Sequence, residues 1–297
     1  MQTAFERRCL SIGGVTLGLG SEHADLKLRF GRAAEDFLVD EAETDRADIR
    51  LTVAWRQLEA EPRGEKLFDS GALWTLYREN GSHVFRFVSK ALGEAPYRVA
   101  RLNSDFTAGQ VFLDRRFFQP HRPLDPLEYP LDELLIIHFL ARGAGLEVHA
   151  CGVADEGGKG FLFAGQSGAG KTTTARLWEK QAGVTILSDD RIILRKAEGR
   201  IWMYGTPWHG EARLASPARA PLTGLYFLRQ ANANELLPLP TIEAAAQLLA
   251  MSFLPFHSRE GLASTLEFCE EILKETPCYD FRFTPDERAV EFVRARS

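Results

Sequence analysis

Phe161-Leu162-Phe163-Ala164-Gly165-Gln166-Ser167-Gly168-Ala169-Gly170-Lys171-Thr172-Thr173 decides how this chain reads. The apolar run up to Ala164 predicts a buried strand, and Lys171 to about residue 181 predicts a helix. Between them, Gly165 to Thr172 satisfies G-x-x-x-x-G-K-[ST] at every defined position. Strand, glycine loop, helix is the setting in which this motif holds phosphate. Glycines let the backbone wrap the anion closely, and the amides of the helix start attract it. Lys171 is the candidate for the β- and γ-phosphates and the Thr172 hydroxyl for Mg²⁺. Gly165, Gln166, Ser167, Gly168, Ala169, Gly170 and Thr173 complete the candidate nucleotide-binding segment, and ATP with Mg²⁺ is the expected ligand.

Such a loop needs an acidic residue at the end of a neighbouring strand. Residues 184–188 predict a buried strand that ends in Asp189-Asp190. Two adjacent carboxylates suit two roles, one holding the metal and one taking the proton of an incoming hydroxyl. Upstream, residues 147–153 and 160–164 read as strands joined by the turn at 155–159. Downstream, strands are expected at 191–195, 200–204, 224–228 and 279–283, with helices at 241–251 and 262–273 and a last one opened by Pro285-Asp286-Glu287. His149, taken alone on an apolar strand, reads as a core histidine, and Cys151 reads as core packing.

The first ~115 residues have a different grammar. Ile49, Leu51 and Val53 alternate with Arg50 and Thr52, and Phe85 and Phe87 repeat the pattern. Turn signals occur at Glu61-Pro62-Arg63-Gly64 and at Glu79-Asn80-Gly81-Ser82, the second suited to a hairpin between 73–77 and 84–88. A small antiparallel β-rich domain is expected, acting in partner recognition by strand addition or as a buttress. Pro120, Pro123, Pro126 and Pro130 predict an irregular connector, so the domains are drawn as 1–125 and 126–297, and residues 131–140 predict a helix that opens the second.

Composition excludes several classes. The 297 residues are 45% hydrophobic and 26% charged with a net charge of −5, a globular chain without the dense basic face of a nucleic-acid binder. No apolar stretch reaches the ~20 residues of a spanning helix. The start at Met1 lacks the apolar segment of a signal peptide, and Cys9, Cys151, Cys269 and Cys278 follow no disulfide or zinc spacing. The expectation is a cytoplasmic protein with neither a nucleic-acid nor a membrane partner.

The ordered elements from about residue 126 resemble the HPr kinase/phosphorylase family, itself related to the ATP-using phosphoenolpyruvate carboxykinases. Val148-His149-Ala150-Cys151-Gly152-Val153 is similar to that family's histidine strand, Gly165–Thr172 to its phosphate loop, and Leu187-Ser188-Asp189-Asp190-Arg191 to its aspartate pair. The resemblance implies a mixed α/β fold, with Lys171 on the transferred phosphate, Asp189 as general base and His149 beside the phosphates. It further implies Thr172, Asp190 and Glu211 as metal ligands, and a homo-oligomer. Glu211 stands in Tyr204-Gly205-Thr206-Pro207-Trp208-His209-Gly210-Glu211, where the family carries a signature loop ending Glu-Ile-Arg-Gly. The different wording resembles a divergent branch found with peptide-modifying systems, including kinases of lasso-peptide precursors. There His209 either lines an acceptor site or is an ordinary loop residue. Phe256-His257-Ser258-Arg259 is the nearest candidate for the family's basic loop. The reading is an Mg-ATP-dependent kinase acting on a hydroxyl, a serine of a protein or peptide, with a small-molecule kinase or a nucleotide-gated binding module as the alternatives.

Overall fold

The computed structural model describes residues 5–60, 63–119 and 121–296. Met1–Ala4, Glu61 and Pro62 of one expected turn and Pro120 of the expected connector lie outside the described residues. The chain is a strand-rich mixed α/β protein with two β-sheets. It divides into two compact units: Met1–Ser11 with Val15–Phe139, and Ile12–Gly14 with Leu140–Ser297.

In the first unit the elements are β1 (Arg7–Ile12), β2 (Val15–Ser21), α1 (Arg32–Glu35), β3 (Leu38–Val39), β4 (Ile49–Trp55), β5 (Glu65–Asp69), β6 (Trp74–Glu79), β7 (Ser82–Ser89), β8 (Gly93–Leu102), β9 (Ala108–Leu113) and α2 (Leu131–Leu140). Nine strands form one sheet in the order β3-β1-β2-β4-β9-β8-β7-β6-β5. The expected hairpin is β6–β7, closed by Asn80 (φ 49°) and Gly81 (φ 78°), whose paired positive φ values match the right-handed strand twist. Alternation holds along β4, where Ile49, Leu51 and Val53 are buried and Arg50 and Thr52 exposed.

Two expectations are corrected here. The sheet is not wholly antiparallel, because β2–β4 and β4–β9 pair in parallel. The chain leaves β2 and returns to β4 through residues 22–48, and leaves β4 and returns to β9 through the β5–β8 meander. Crossovers of that length are what parallel neighbours require. The boundary also lies at 139/140 rather than 125/126, so α2 belongs to the first unit. The His138 ring on α2 packs 5.3 Å from Phe85 and 4.5 Å from Phe106, and these aromatic contacts tie the helix to the sheet despite the prolines that precede it.

The second unit contains β10 (Leu146–Ala154), β11 (Gly160–Ala164), α3 (Lys171–Glu179), β12 (Thr185–Ser188), β13 (Arg191–Ala197), β14 (Arg200–Tyr204), β15 (Arg219–Gln230), β16 (Glu235–Pro238), α4 (Thr241–Ala250), α5 (Arg259–Glu275), β17 (Cys278–Phe283) and α6 (Arg288–Arg294). The expected elements recur within a few residues, and β16 is an addition. The sheet runs β11-β10-β13-β14-β15-β17-β16, with β12 on β10. Strand β15 pairs first with β14 and then, in parallel, with β11, so part of the sheet closes on itself.

Both faces of β11 are covered, which is why its sequence is continuously apolar. Leu162 and Ala164 enter one core with Leu225, Phe227, Leu248 of α4 and Ile272 of α5. Phe161 and Phe163 point the other way, into a core with Trp178 of α3, Tyr226 and Val290 of α6. No helix of the described residues is long and apolar enough to cross a membrane. All four cysteines are free.

Phe163 is fully buried, with ring centres 5.1 Å from Tyr226 and 5.9 Å from Trp178. Phe163→Ala is expected to cost about 3–5 kcal/mol, through lost transfer energy plus an unfilled cavity. Urea unfolding monitored by circular dichroism measures it, and a loss below about 1 kcal/mol contradicts the packing described.

Candidate functional site

Strand β10 organises the site because it is shared along its length. Its second half pairs with β11, Ala150 opposite Ala164, and its first half pairs with β13, His149 opposite Arg191. Gly152 lies opposite Ser188 of β12. The histidine strand, the strand that ends at Gly165 and the strand that ends at Asp189-Asp190 thus meet at one end of the sheet.

Residues 165–170 lead from β11 into α3. Gly168 (φ 83°) and Gly170 (φ 113°) adopt the left-handed backbone that glycine tolerates. At Gly170 a side chain is excluded twice, since a Cβ would also lie 2.6 Å from the Phe283 ring. At Gly168 it would enter open space, so there the backbone conformation alone calls for glycine. No side chain caps the N-terminus of α3, whose first-turn amides have no intrahelical acceptor. Lys171, buried at the start of α3, donates to the carbonyls of Gly165 (2.8 Å) and Gln166 (3.2 Å). Burial, aided by Arg191, holds its ammonium below the ordinary value against the opposing pull of Asp190 and Cys151. Beside the loop, a cleft of about 440 Å³ is lined by Gln166, Ser167, Phe227, Gln247, Ala250 and Met251.

The two aspartates face different surroundings. Asp190 is half-buried; its Oδ1 accepts from His149 Nε2 at 2.8 Å, and its Oδ2 accepts from Arg191 Nη1. Burial opposes its ionisation, but the His149 hydrogen bond and the charges of Arg191, His149 and Lys171 outweigh that and hold the carboxyl below its ordinary value. Asp189 is 1% exposed and accepts from three backbone amides, Gly210 (2.9 Å), Ala212 (2.8 Å) and Leu214 (3.3 Å). Glu211 is exposed between two of those donors. Cys151 is buried and its thiol is pushed far up, as core packing requires.

His149 and Asp190 are therefore joined directly, Lys171 is near enough to influence the Asp190 charge, Thr172 lies in the first turn of α3, and Glu211 lies on the loop that Asp189 holds. His209 is exposed and hydrogen-bonds its own loop at the Gly210 carbonyl, 3.1 Å away. Ser258 of the Phe256–Arg259 segment serves as N-cap of α5, accepting from Gly261 N at 3.0 Å. In the sequence Arg191 is simply the basic residue after the pair, but the structure gives it three partners at the site. It bonds Asp190, lies 3.6 Å from Glu147 and stacks 4.4 Å over the Phe253 ring. Met251, invisible as a site residue, fixes His149 by accepting its backbone N–H at 2.7 Å. Neither has a sequence signal beyond position.

No protein-family model matches this chain, and neither does any curated protein. Among solved structures the chain is similar to the Hpr(Ser) kinase/phosphatase from Coxiella burnetii, with 12% sequence identity and a TM-score of 0.29, covering 50% of this chain and 91% of that one. This is a likeness at the level of the fold at most.

The depressed Asp190 carboxyl gives a pH dependence whose sign is fixed. The stability its partners supply is complete above the unfolded value of 3.8 and is lost as pH falls through the lower folded value. Asp190→Asn should remove that dependence. Chemical denaturation of both proteins between neutral pH and pH 3 measures the difference, and parallel curves contradict the pairing.

Proposed function

We propose that the second unit is a Mg-ATP-dependent kinase that transfers the γ-phosphate to a hydroxyl, and that its acceptor is a serine of a protein or peptide. The observation that carries this reading is the β10 register, which brings the His149–Asp190 pair beside the strand that delivers Lys171, close enough for the lysine and the carboxylate to act on each other's ionisation. Acceptor class and kinship rest on the sequence resemblance to HPr kinases and their peptide-modifying branch.

In this reading the loop amides and the α3 N-terminus hold the polyphosphate, and the adjoining cleft has room for the nucleoside. Lys171 exchanges the carbonyls of Gly165 and Gln166 for phosphate oxygens. The resemblance implies Asp189 as the base, but the geometry favours Asp190 for that role and leaves Asp189 as neither base nor metal ligand. Both oxygens of Asp189 face amides in a buried site. Asp190 is the more accessible of the two, ionised at neutral pH, and each of its oxygens keeps a spare lone pair. It takes the acceptor proton as the acceptor oxygen bonds to the γ-phosphorus and the bond from that phosphorus to the bridging oxygen breaks, releasing ADP. His149 and Arg191 orient its carboxylate.

The donors this reading assigns to the metal are oxygen atoms, the Thr172 hydroxyl and the exposed Glu211 carboxylate, which suit a hard ion completed by phosphate oxygens. Among the described residues no cluster of three or more His, Cys, Asp or Glu side chains forms a metal site of its own. Mg²⁺, when bound with ATP, neutralises phosphate charge.

Lys171→Ala should lower transfer by at least about 10²-fold, and Asp190→Asn by about 10²–10⁴-fold, with nucleotide binding retained in the second variant. The assay is label transfer from γ-labelled Mg-ATP into a host extract, followed by mass spectrometry of the labelled species. Labelling by Lys171→Ala at the wild-type rate overturns the loop assignment. Label in a metabolite alone makes the acceptor a small molecule, and ATP bound without any label makes the unit a nucleotide-gated binding module.

A further inference from the structure

We propose that Asp189 is a positioning residue rather than a chemical one, and that its buried carboxylate is the anchor that sets residues 205–218, and with them Glu211, against Asp190. The Glu211 part of this inference rests on the kinase reading above; the anchoring does not.

The geometry is that of an anion held by a peptide loop. Amides of Gly210, Ala212 and Leu214, every second residue, converge on one carboxylate. The Leu214 carbonyl returns the contact by accepting Asp189 N at 3.3 Å. No Lys, Arg or His forms an ion pair with Asp189 among the described residues, so backbone dipoles hold its charge. Hydrogen bonds to an ionised acceptor are about twice as strong as neutral ones, and here they are buried. The loop can come this close only because residue 210 has no side chain. A Cβ there would lie 2.8 Å from Asp189 Oδ2 and 3.2 Å from the Cβ of Asp190.

Flanking ties confine the rest of the loop. Ser188 Oγ donates to the Trp208 carbonyl (3.2 Å), Ser216 N donates to the Leu187 carbonyl (2.9 Å), and Thr206 Oγ1 donates to the Arg191 carbonyl (2.8 Å). Glu211 stands between two amides that are both pinned to Asp189, so its backbone has little freedom while its side chain is exposed. The aspartate pair thus divides its work. Asp190 meets His149 and Arg191, and Asp189 holds the loop that supplies Glu211.

Asp189→Asn tests this, because it keeps volume but replaces an acceptor oxygen with an NH₂ that faces peptide donors. In the free protein, hydrogen exchange across 205–218 should speed up by about tenfold or more while β10, β11 and β15 stay protected. With ATP present, half-saturation in Mg²⁺ should rise about tenfold for both Asp189→Asn and Glu211→Gln, the rise exceeding any fall in kcat, and the double variant should be no worse than either single one.

Unchanged exchange in Asp189→Asn overturns the anchoring. Lost turnover at saturating Mg²⁺, or additive effects in the double variant, overturns the link to Glu211. If Asp189→Asn fails to fold, Gly210→Ala provides the same test, since it pushes the loop off an intact Asp189 and should give the same exchange and Mg²⁺ signatures. Wild-type protein that binds no ATP by calorimetry would sink the kinase reading instead, with the exchange measurement still deciding the anchoring.

Discussion

The register of β10 is the constraint from which the candidate site follows. This strand is paired on one edge with β11 and on the other with β12 and β13, and each partner ends at a different part of the site. A slip of one residue would turn His149 to the opposite face of the sheet and carry Val148 out of its core. The register is held by what lies beneath it. Val148 and Ala150 are wholly buried in one core and Cys151 and Val153 in the other. Gly152 is a point of close approach, where a Cβ would lie 2.4 Å from Ile192 Cδ1. Packing of apolar side chains, which carry no chemistry, thereby fixes a histidine and a carboxylate 41 residues apart at 2.8 Å.

Two neighbouring carboxylates behave differently because their solvation differs. Asp189 is enclosed and almost excluded from water, and its carboxylate is held by backbone amides. Asp190 meets side chains that can move or titrate, His149, Arg191 and, at longer range, Lys171. Backbone donors do not reorganise readily, so a group they hold is suited to fixing geometry. A group held by side chains on an open edge is suited to exchanging partners. Arg191 takes part in both kinds of order, since it bonds Asp190 while it stacks on Phe253 and lies near the buried Glu147.

The first unit illustrates how local pattern and topology part company. Alternation in β4 and the Asn-Gly turn of β6–β7 follow from rules that act within a few residues, and both are legible. The parallel pairings β2–β4 and β4–β9 depend on where long connections bring the chain back, which no local pattern encodes. The same holds for the unit boundary. Pro123, Pro126 and Pro130 do lie in a stretch, 121–130, that forms no helix and no named strand, yet α2 stays with the first unit because His138 packs among Phe85 and Phe106.

By itself the sequence determined the order of strands and helices from residue 146 onward, β16 apart, the glycine loop with Lys171 at its end, and the presence of an acidic pair on a strand end. These are short-range properties, written in apolar periodicity and in the need for glycine where φ is positive. Tertiary structure alone decided which aspartate faces His149 and which is enclosed, that Met251 and Arg191 border the site, and that residue 210 must lack a side chain. Each of those depends on contacts between segments far apart in the chain, where burial and backbone donors, not residue type, set what a side chain can do.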